Sequence, residues 1–386
     1  MGMNLLPGCR SDLPDKNSSV HNWQTNDEWQ QIRYGEWGGP GVDPRPGPMD
    51  HILLKDYAPK SSVVVPETFV DKARFPVIDV HIHDYAGRAE GNATEILAEW
   101  VETMDEVGIE KSVVLTGTTG AEFDRLVDMY LRPYPGKFQL YCGLESTNIH
   151  QTDYPEQAAA ELERCFDMGA RGVGELTDKG LGVTRDPDLQ PEERMHFDDS
   201  RLDLFWSKCG ELNMPVNIHI ADHPSAWEAL DIFQERTPEY QHFNLHGDDI
   251  LSHAQLLVTR DRLIEQHPDT TFIACHLSNQ GHDLASLSRA LDKYPNLCLD
   301  ISARDYEIGR TPRTAKKFLE KYSDRVLFGT DMGMYKGMYQ SWWRLLETDD
   351  EYMVGRVWWP YYGLNLSESV LQALYRDNAR RIMNWE

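Results

Sequence analysis

Beyond Phe75 the chain alternates between two kinds of segment. Short apolar or β-branched runs occupy residues 77–83, 112–116, 138–143, 172–176, 216–220, 271–276, 297–301 and 326–329. Between them lie longer stretches with charged residues at helical spacing: 94–107, 121–131, 155–168, 201–212, 250–266, 284–294 and 312–322. Compact apolar runs read as buried strands, and the longer periodic stretches as helices. Thr94 precedes an acidic first turn, and Gly108 and Gly169 stand where a terminal glycine would stop a helix. Repeated strand-then-helix order predicts a parallel sheet, and eight such units predict an α/β fold closed as a (β/α)8 barrel. An open doubly wound sheet is the alternative, but no glycine-rich phosphate loop follows the first run.

Two regions break the alternation. Residues 1–75 carry Pro40, Pro44, Pro46 and Pro48 among several glycines, with Trp23, Trp29 and Trp37 scattered through. Proline and glycine block long helices there, while the tryptophans need something to pack against. The expectation is an irregular N-terminal arm lying on the barrel of residues 76–386 or on a neighbouring subunit, and so a homo-oligomer. Residues 221–249 are long and irregular, and the stretch from Met332 onward is rich in aromatics, including Trp342, Trp343, Trp358, Trp359, Tyr361 and Tyr362. These are expected to be loop insertions at the C-terminal face, ahead of a last barrel helix over about 367–383.

Composition narrows the partners. At 386 residues and 40% hydrophobic, the chain can bury a large core. Acidic residues outnumber basic ones 63 to 38, a net charge of −25 that repels nucleic-acid phosphates and anionic lipid. No run approaches the ~20 apolar residues of a membrane span. A small-molecule substrate is therefore expected, and an anionic one would need local cations. The cysteines Cys9, Cys142, Cys165, Cys209, Cys275 and Cys298 form no Cys-x-x-Cys pair, and Cys142, Cys275 and Cys298 fall inside apolar runs where free thiols are buried, which fits a reducing, cytoplasmic setting. Leu6-Pro7-Gly8-Cys9 has the outline of a bacterial lipidation site but lacks a basic start and an apolar segment, so no anchor is expected from it.

The chemistry gathers at the ends of the runs. The first ends Asp79-Val-His81-Ile-His83, and alternation on a strand projects both imidazoles to one face. The fifth ends at His219, the sixth at His276, and the eighth runs on to Thr330-Asp331. One such ending is unremarkable in a chain with 14 histidines, but four that would meet in one barrel mouth describe a site. His81, His83, His219 and Asp331 are expected to hold one divalent ion, zinc first, with manganese, iron or cobalt compatible with the same ligands. His276 is expected to move protons near the activated water, a role Asp331 can share.

In this order and on these strands, His81-Ile-His83, His219, His276 and Thr330-Asp331 resemble the amidohydrolase superfamily. The likeness is to its amidohydrolase-related branch, which includes aminocarboxymuconate-semialdehyde decarboxylase and related decarboxylases, hydratases and lactonases. It spans about residues 76 to 384. The resemblance implies metal ligation by His81, His83, His219 and Asp331, with His276 assisting acid–base chemistry. Some members carry a carboxylate or modified lysine on the fourth strand that bridges two ions. Glu175 stands there, as such a bridge or as a partner orienting a ligating histidine, with one ion the primary expectation. Arg304, after the seventh run, is a candidate grip for a substrate carboxylate or a salt-bridge partner of nearby acids. The expected activity is hydrolysis of an amide, ester or lactone of a small substrate. Non-oxidative decarboxylation or hydration at the same centre is the alternative, and a catalytically silent metal-binding barrel the third.

Overall fold

In a computed structural model of the chain, residues 47–385 are described except Met49, Pro59, Ile232, Phe233, Asp248, Arg356 and Trp358. Cys9, Trp23, Trp29, Trp37, Pro40, Pro44 and Pro46 lie outside the described residues. The chain divides into two compact units, Met1–Val63 and Val64–Glu386. The described part of the first holds a single 3-10 turn at Leu54–Asp56.

The second unit is an eight-stranded parallel barrel. Its strands are β1 Val77–Ile82, β2 Ile109–Leu115, β3 Phe138–Cys142, β4 Ala170–Asp178, β5 Val216–Ile220, β6 Phe272–Ala274, β7 Leu297–Asp300 and β8 Val326–Leu327, in sequential order. The last strand returns to the first through Val80 N to Phe328 O and Asp331 N to His81 O, each 2.9 Å. Residues 64–75, expected as part of the arm, are stitched to this unit. Thr68 donates its N–H and hydroxyl to Asp350 at 2.7 Å each, and Arg74 N donates to Glu347 at 3.0 Å.

The main helices are α1 Ala93–Val107, α2 Gly120–Leu126, α3 Tyr154–Met168, α4 Asp203–Glu211, α5 His253–Gln266, α6 Leu284–Lys293, α7 Pro312–Lys321 and α8 Lys336–Glu347. Gly108 ends α1 in the left-handed conformation at φ 96°, the stop its position in the sequence predicts. A final helical run, Glu368–Ile382, is interrupted by a π-helical turn at Ala373–Asp377. α8 lies within the stretch read from sequence as an aromatic insertion. Met338, Tyr339, Trp342, Trp343, Leu345 and Leu346 are buried, while Gly337, Gln340, Ser341 and Arg344 lie on its outer side, the pattern of an amphipathic helix.

Two glycines set how closely the strands approach at the mouth. A Cβ on Gly329 would stand 2.7 Å from His81 Cβ, and one on Gly174 2.7 Å from Asn217 Cβ. No other residue fits at either place without displacing a neighbouring strand.

Candidate metal centre

Four imidazoles and two carboxylates converge where the strands end. His81, fully buried, is held through Nδ1, 2.9 Å from Asp300 Oδ2 on β7. Its Nε2 is left facing the centre as a buried nitrogen with no hydrogen-bond partner, 3.7 Å from Glu175 Oε1 and 3.9 Å from Asp331 Oδ1. His83 follows β1 and is turned by Leu115, whose carbonyl lies 3.0 Å from Nδ1. A carbonyl only accepts, so Nδ1 carries the proton and Nε2 is bare, 3.2 Å from Asp331 Oδ1 and 3.6 Å from Glu175 Oε2. His276 repeats the arrangement, Nδ1 donating to the Ser302 carbonyl at 2.9 Å and Nε2 standing 3.1 Å from Glu175 Oε1. His219 is reversed: Nδ1 faces Glu175 Oε1 at 2.9 Å and Nε2 faces Asp222 Oδ1 at 3.3 Å.

The sequence puts His276 and Asp331 on strand ends, but both lie on turns beyond them. β6 stops at Ala274, and residues 276–279 take left-handed φ values of 52° to 60°. β8 stops at Leu327, and Asp331 has φ 50°. Left-handed backbone at non-glycine residues is uncommon and clusters where a side chain must be aimed. Here it swings the His276 ring to within 5.0 Å of the His81 ring and 4.6 Å of the His219 ring, centroid to centroid.

Glu175 occupies the middle. Its carboxylate lies within 3.7 Å of all four imidazoles. His81, His276 and Asp331 lie within 4.8 Å of one another, as do Glu175, His219 and His276, so two donor groups overlap at His276. Cys275 also lies within that distance of His81 and Glu175, so a thiol that reads in sequence as a small buried hydrophobe forms part of the floor.

The electrostatics show what the cluster lacks. Burial alone would depress His81, but Asp300, Asp331 and Glu175 outweigh it and hold its pKa up to about 10. His219 is raised in the same way, burial being outweighed by Glu175 and Asp222. Burial would raise Glu175 and Asp331, yet the surrounding imidazoles hold both below the usual carboxylate range. Without an ion, protons on His81 and His219 thus supply the positive charge that the buried carboxylates require. An orphaned buried nitrogen aimed at two carboxylates, with further bare nitrogens around it, fits a divalent cation bound through nitrogen and oxygen.

A pH dependence follows. A charged His81 stabilises ion-free protein below its ordinary value of 6.5, and this is lost as pH rises toward ten. Ionised Glu175 contributes above its ordinary value of 4.5 and is lost as pH falls below it. Chelator-treated protein should therefore melt highest between about pH 4.5 and 6.5, with Tm declining on the alkaline side. Ion affinity should rise over that same alkaline range, because binding displaces protons from His81 and His219. Melting curves against pH, with and without chelator, measure both; an ion-free profile flat above neutrality would contradict the charge balance.

Other residues fall differently from the sequence reading. Asp300 and Ser302, unassigned there, hold His81 and His276 from below. The Arg304 guanidinium is engaged by the side-chain oxygen of Asn279 and the carbonyl of Ala303, with Glu307 3.7 Å from its Nε. Tyr85, Asp222 and Lys179 were missed. Tyr85 donates to Asp331 Oδ1 at 3.1 Å, while Lys179 Nζ lies 2.7 Å from Asp222 Oδ2. Asp222, three residues beyond His219, offered the only sequence signal.

The fold and this cluster define a (β/α)8-barrel enzyme with a metal-type centre at its C-terminal mouth. Residues 78–385 match the family model described as Amidohydrolase, and the chain belongs to that family. No curated protein matches the sequence. Among solved structures, a putative amidohydrolase from Staphylococcus aureus is similar at a TM-score of 0.52 and 15% identity, over 80% of this chain and 100% of that one. The 2,6-dihydroxybenzoate decarboxylase from Rhizobium is similar at 0.51 and 18% identity, over 80% and 99%. An uncharacterised TIM-barrel protein from Bordetella bronchiseptica gives 0.50 and 18%, over 81% and 99%. At these identities the likeness is one of fold.

Proposed function

We propose that the chain is a metal-dependent hydrolase for an amide, ester or lactone of a small substrate, with ions held on both sides of Glu175. The position of Glu175 carries this reading: it faces all four imidazoles, and the donors around it fall into two groups that overlap at His276. In this reading His81, His83 and Asp331 would hold one ion, and His219 and His276, with Glu175, the other. This revises the one-ion expectation and moves His276 from proton carrier to ligand. Bound there, zinc (or manganese, iron or cobalt) supplies Lewis acidity and brings the pKa of water toward ~7. Asp331 is the proton acceptor. Its Oδ1 is fixed by Tyr85 and His83, while Oδ2 lies 3.8 Å from His276 Nε2 and the side chain is 24% exposed at the mouth. Ser302 and Leu115 keep the rings of His276 and His83 from rotating, so the bare nitrogens stay aimed without reorganisation.

Non-oxidative decarboxylation at the same centre is the second reading, favoured by the shared fold of the Rhizobium decarboxylase. Against it, Arg304 would have to release Asn279 to grip a carboxylate. Ion-reconstituted protein offered lactones, esters, amides and aromatic carboxylates separates the two. Acid release from the first three supports hydrolysis, and carbon dioxide release from the last overturns it. His276→Asn should lose about one equivalent of ion together with turnover; full ion content with turnover lost would return His276 to an acid–base role. Location in the cytoplasm is part of the proposal, supported by buried free thiols at Cys142, Cys165, Cys209, Cys275 and Cys298. Assembly as a homo-oligomer belongs to it too, and sedimentation of the purified protein tests that.

A further inference from the structure

His81, His83 and His276 are all oriented from Nδ1 by groups on the barrel strands or the turns just beyond them, and all present Nε2. His219 alone presents Nδ1, so its ring has to be held from the outer nitrogen, on the solvent side of the mouth. Asp222 is in place to do this. Ala221 takes a left-handed φ of 64° and donates its N–H to the Asp178 carbonyl at 2.9 Å. That turn folds the chain back just beyond β5, and Asp222 Oδ1 comes to 3.3 Å from His219 Nε2. The residue is only 8% exposed. Its other oxygen lies 2.7 Å from Nζ of Lys179, the first residue after β4, and that ammonium stands 4.8 Å from the centre of the Phe243 ring in the long loop after β5.

We propose that Asp222, charge-balanced by Lys179, is the positioning residue that fixes the tautomer and ring angle of His219 and so sets the affinity of the second ion site. The inference rests on the metal reading above. A carboxylate accepting the outer N–H holds the proton there, leaves Nδ1 bare toward Glu175, and makes the imidazole a stronger donor. In a chain of net charge −25, a buried carboxylate needs a counter-charge; Lys179 supplies it while leaving Asp222 able to accept. Because Lys179 also meets Phe243, the second site is tied to the long loop after β5, whereas the first is held by barrel residues and Tyr85.

The test is chelator competition for Zn2+ and Co2+ on full-length wild type, Asp222→Ala, Asp222→Asn and Lys179→Met, with the visible Co2+ spectrum as a signature of ligand geometry. Asp222→Ala should weaken one of two equivalents by about 10- to 100-fold and shift its Co2+ bands, leaving the other unchanged. Asp222→Asn, whose amide oxygen still accepts, and Lys179→Met should fall between wild type and Asp222→Ala. These two also keep the test open if the alanine variant fails to fold. Both equivalents held within about twofold of wild type would overturn the proposal while the metal reading stood. An even loss at both sites that tracks the ion-free melting temperature would also overturn it, since that is general destabilisation. Wild type that binds no ion would remove the metal reading itself.

Discussion

Exchange of Glu175 for Gln should reduce bound divalent ion from about two equivalents to about one and lower turnover by on the order of 10³-fold. The side chain keeps its shape, so packing is spared and the change reports on charge. Glu175 Oε1 lies 2.9 Å from His219 and 3.1 Å from His276, and a neutral amide there would hold cations beside these rings far more weakly than a carboxylate. In the ion-free state the same exchange leaves His81 and His219 with less counter-charge, so both should titrate closer to their ordinary value of 6.5. Ion analysis by mass spectrometry, with histidine titration by NMR on stripped protein, reads both effects. Two equivalents retained with turnover near wild type would eliminate the bridging role.

Stripping the ion should abolish turnover and lower the melting temperature by about 10 °C. The estimate follows from linkage: a ligand present at ~1,000 times its dissociation constant stabilises the fold by about 4 kcal/mol, and each kcal/mol moves Tm by about 2–4 °C in a chain of a few hundred residues. The loss should be partial rather than complete unfolding, because protonated His81 and His219 substitute for part of the missing charge. Adding back zinc, manganese, cobalt and ferrous iron one at a time, each followed by activity and Tm, identifies the ion that restores both. Undiminished turnover after exhaustive chelation, with ion content verified as absent, would dispose of metal dependence altogether.

Most of the architecture was legible because it depends on short-range pattern. All eight apolar runs are strands, since each run must be buried on both sides of a parallel sheet and is therefore dominated by apolar side chains. Boundaries slipped where local chemistry misleads. β2 begins at Ile109 because Glu110 and Lys111 lie in the strand while only partly buried, which the search for unbroken apolar runs passes over. β4 extends from Ala170 to Asp178, taking in Arg171 and the residues after Leu176. α8 escaped notice because its paired tryptophans read as part of an aromatic loop, although Gly337, Gln340, Ser341 and Arg344 repeat at helical spacing. The metal-type side chains were found because histidines and an aspartate at the ends of apolar runs are costly to bury without a purpose.

What the sequence determined by itself was the inventory and its order: eight strands, His81 and His83 with the first, His219 at the end of the fifth, His276 and Asp331 with the sixth and eighth. Periodicity and burial are properties of neighbouring residues, and a chain carries them openly. Only the tertiary structure decided that Glu175 sits between all four imidazoles, that His219 points the opposite nitrogen inward, and that Arg304 is occupied by Asn279 and Ala303. Each of these depends on left-handed turns and on distances between strands remote in sequence. A carboxylate's role is fixed by which charges lie within about 4 Å of it, and no spacing along the chain encodes that.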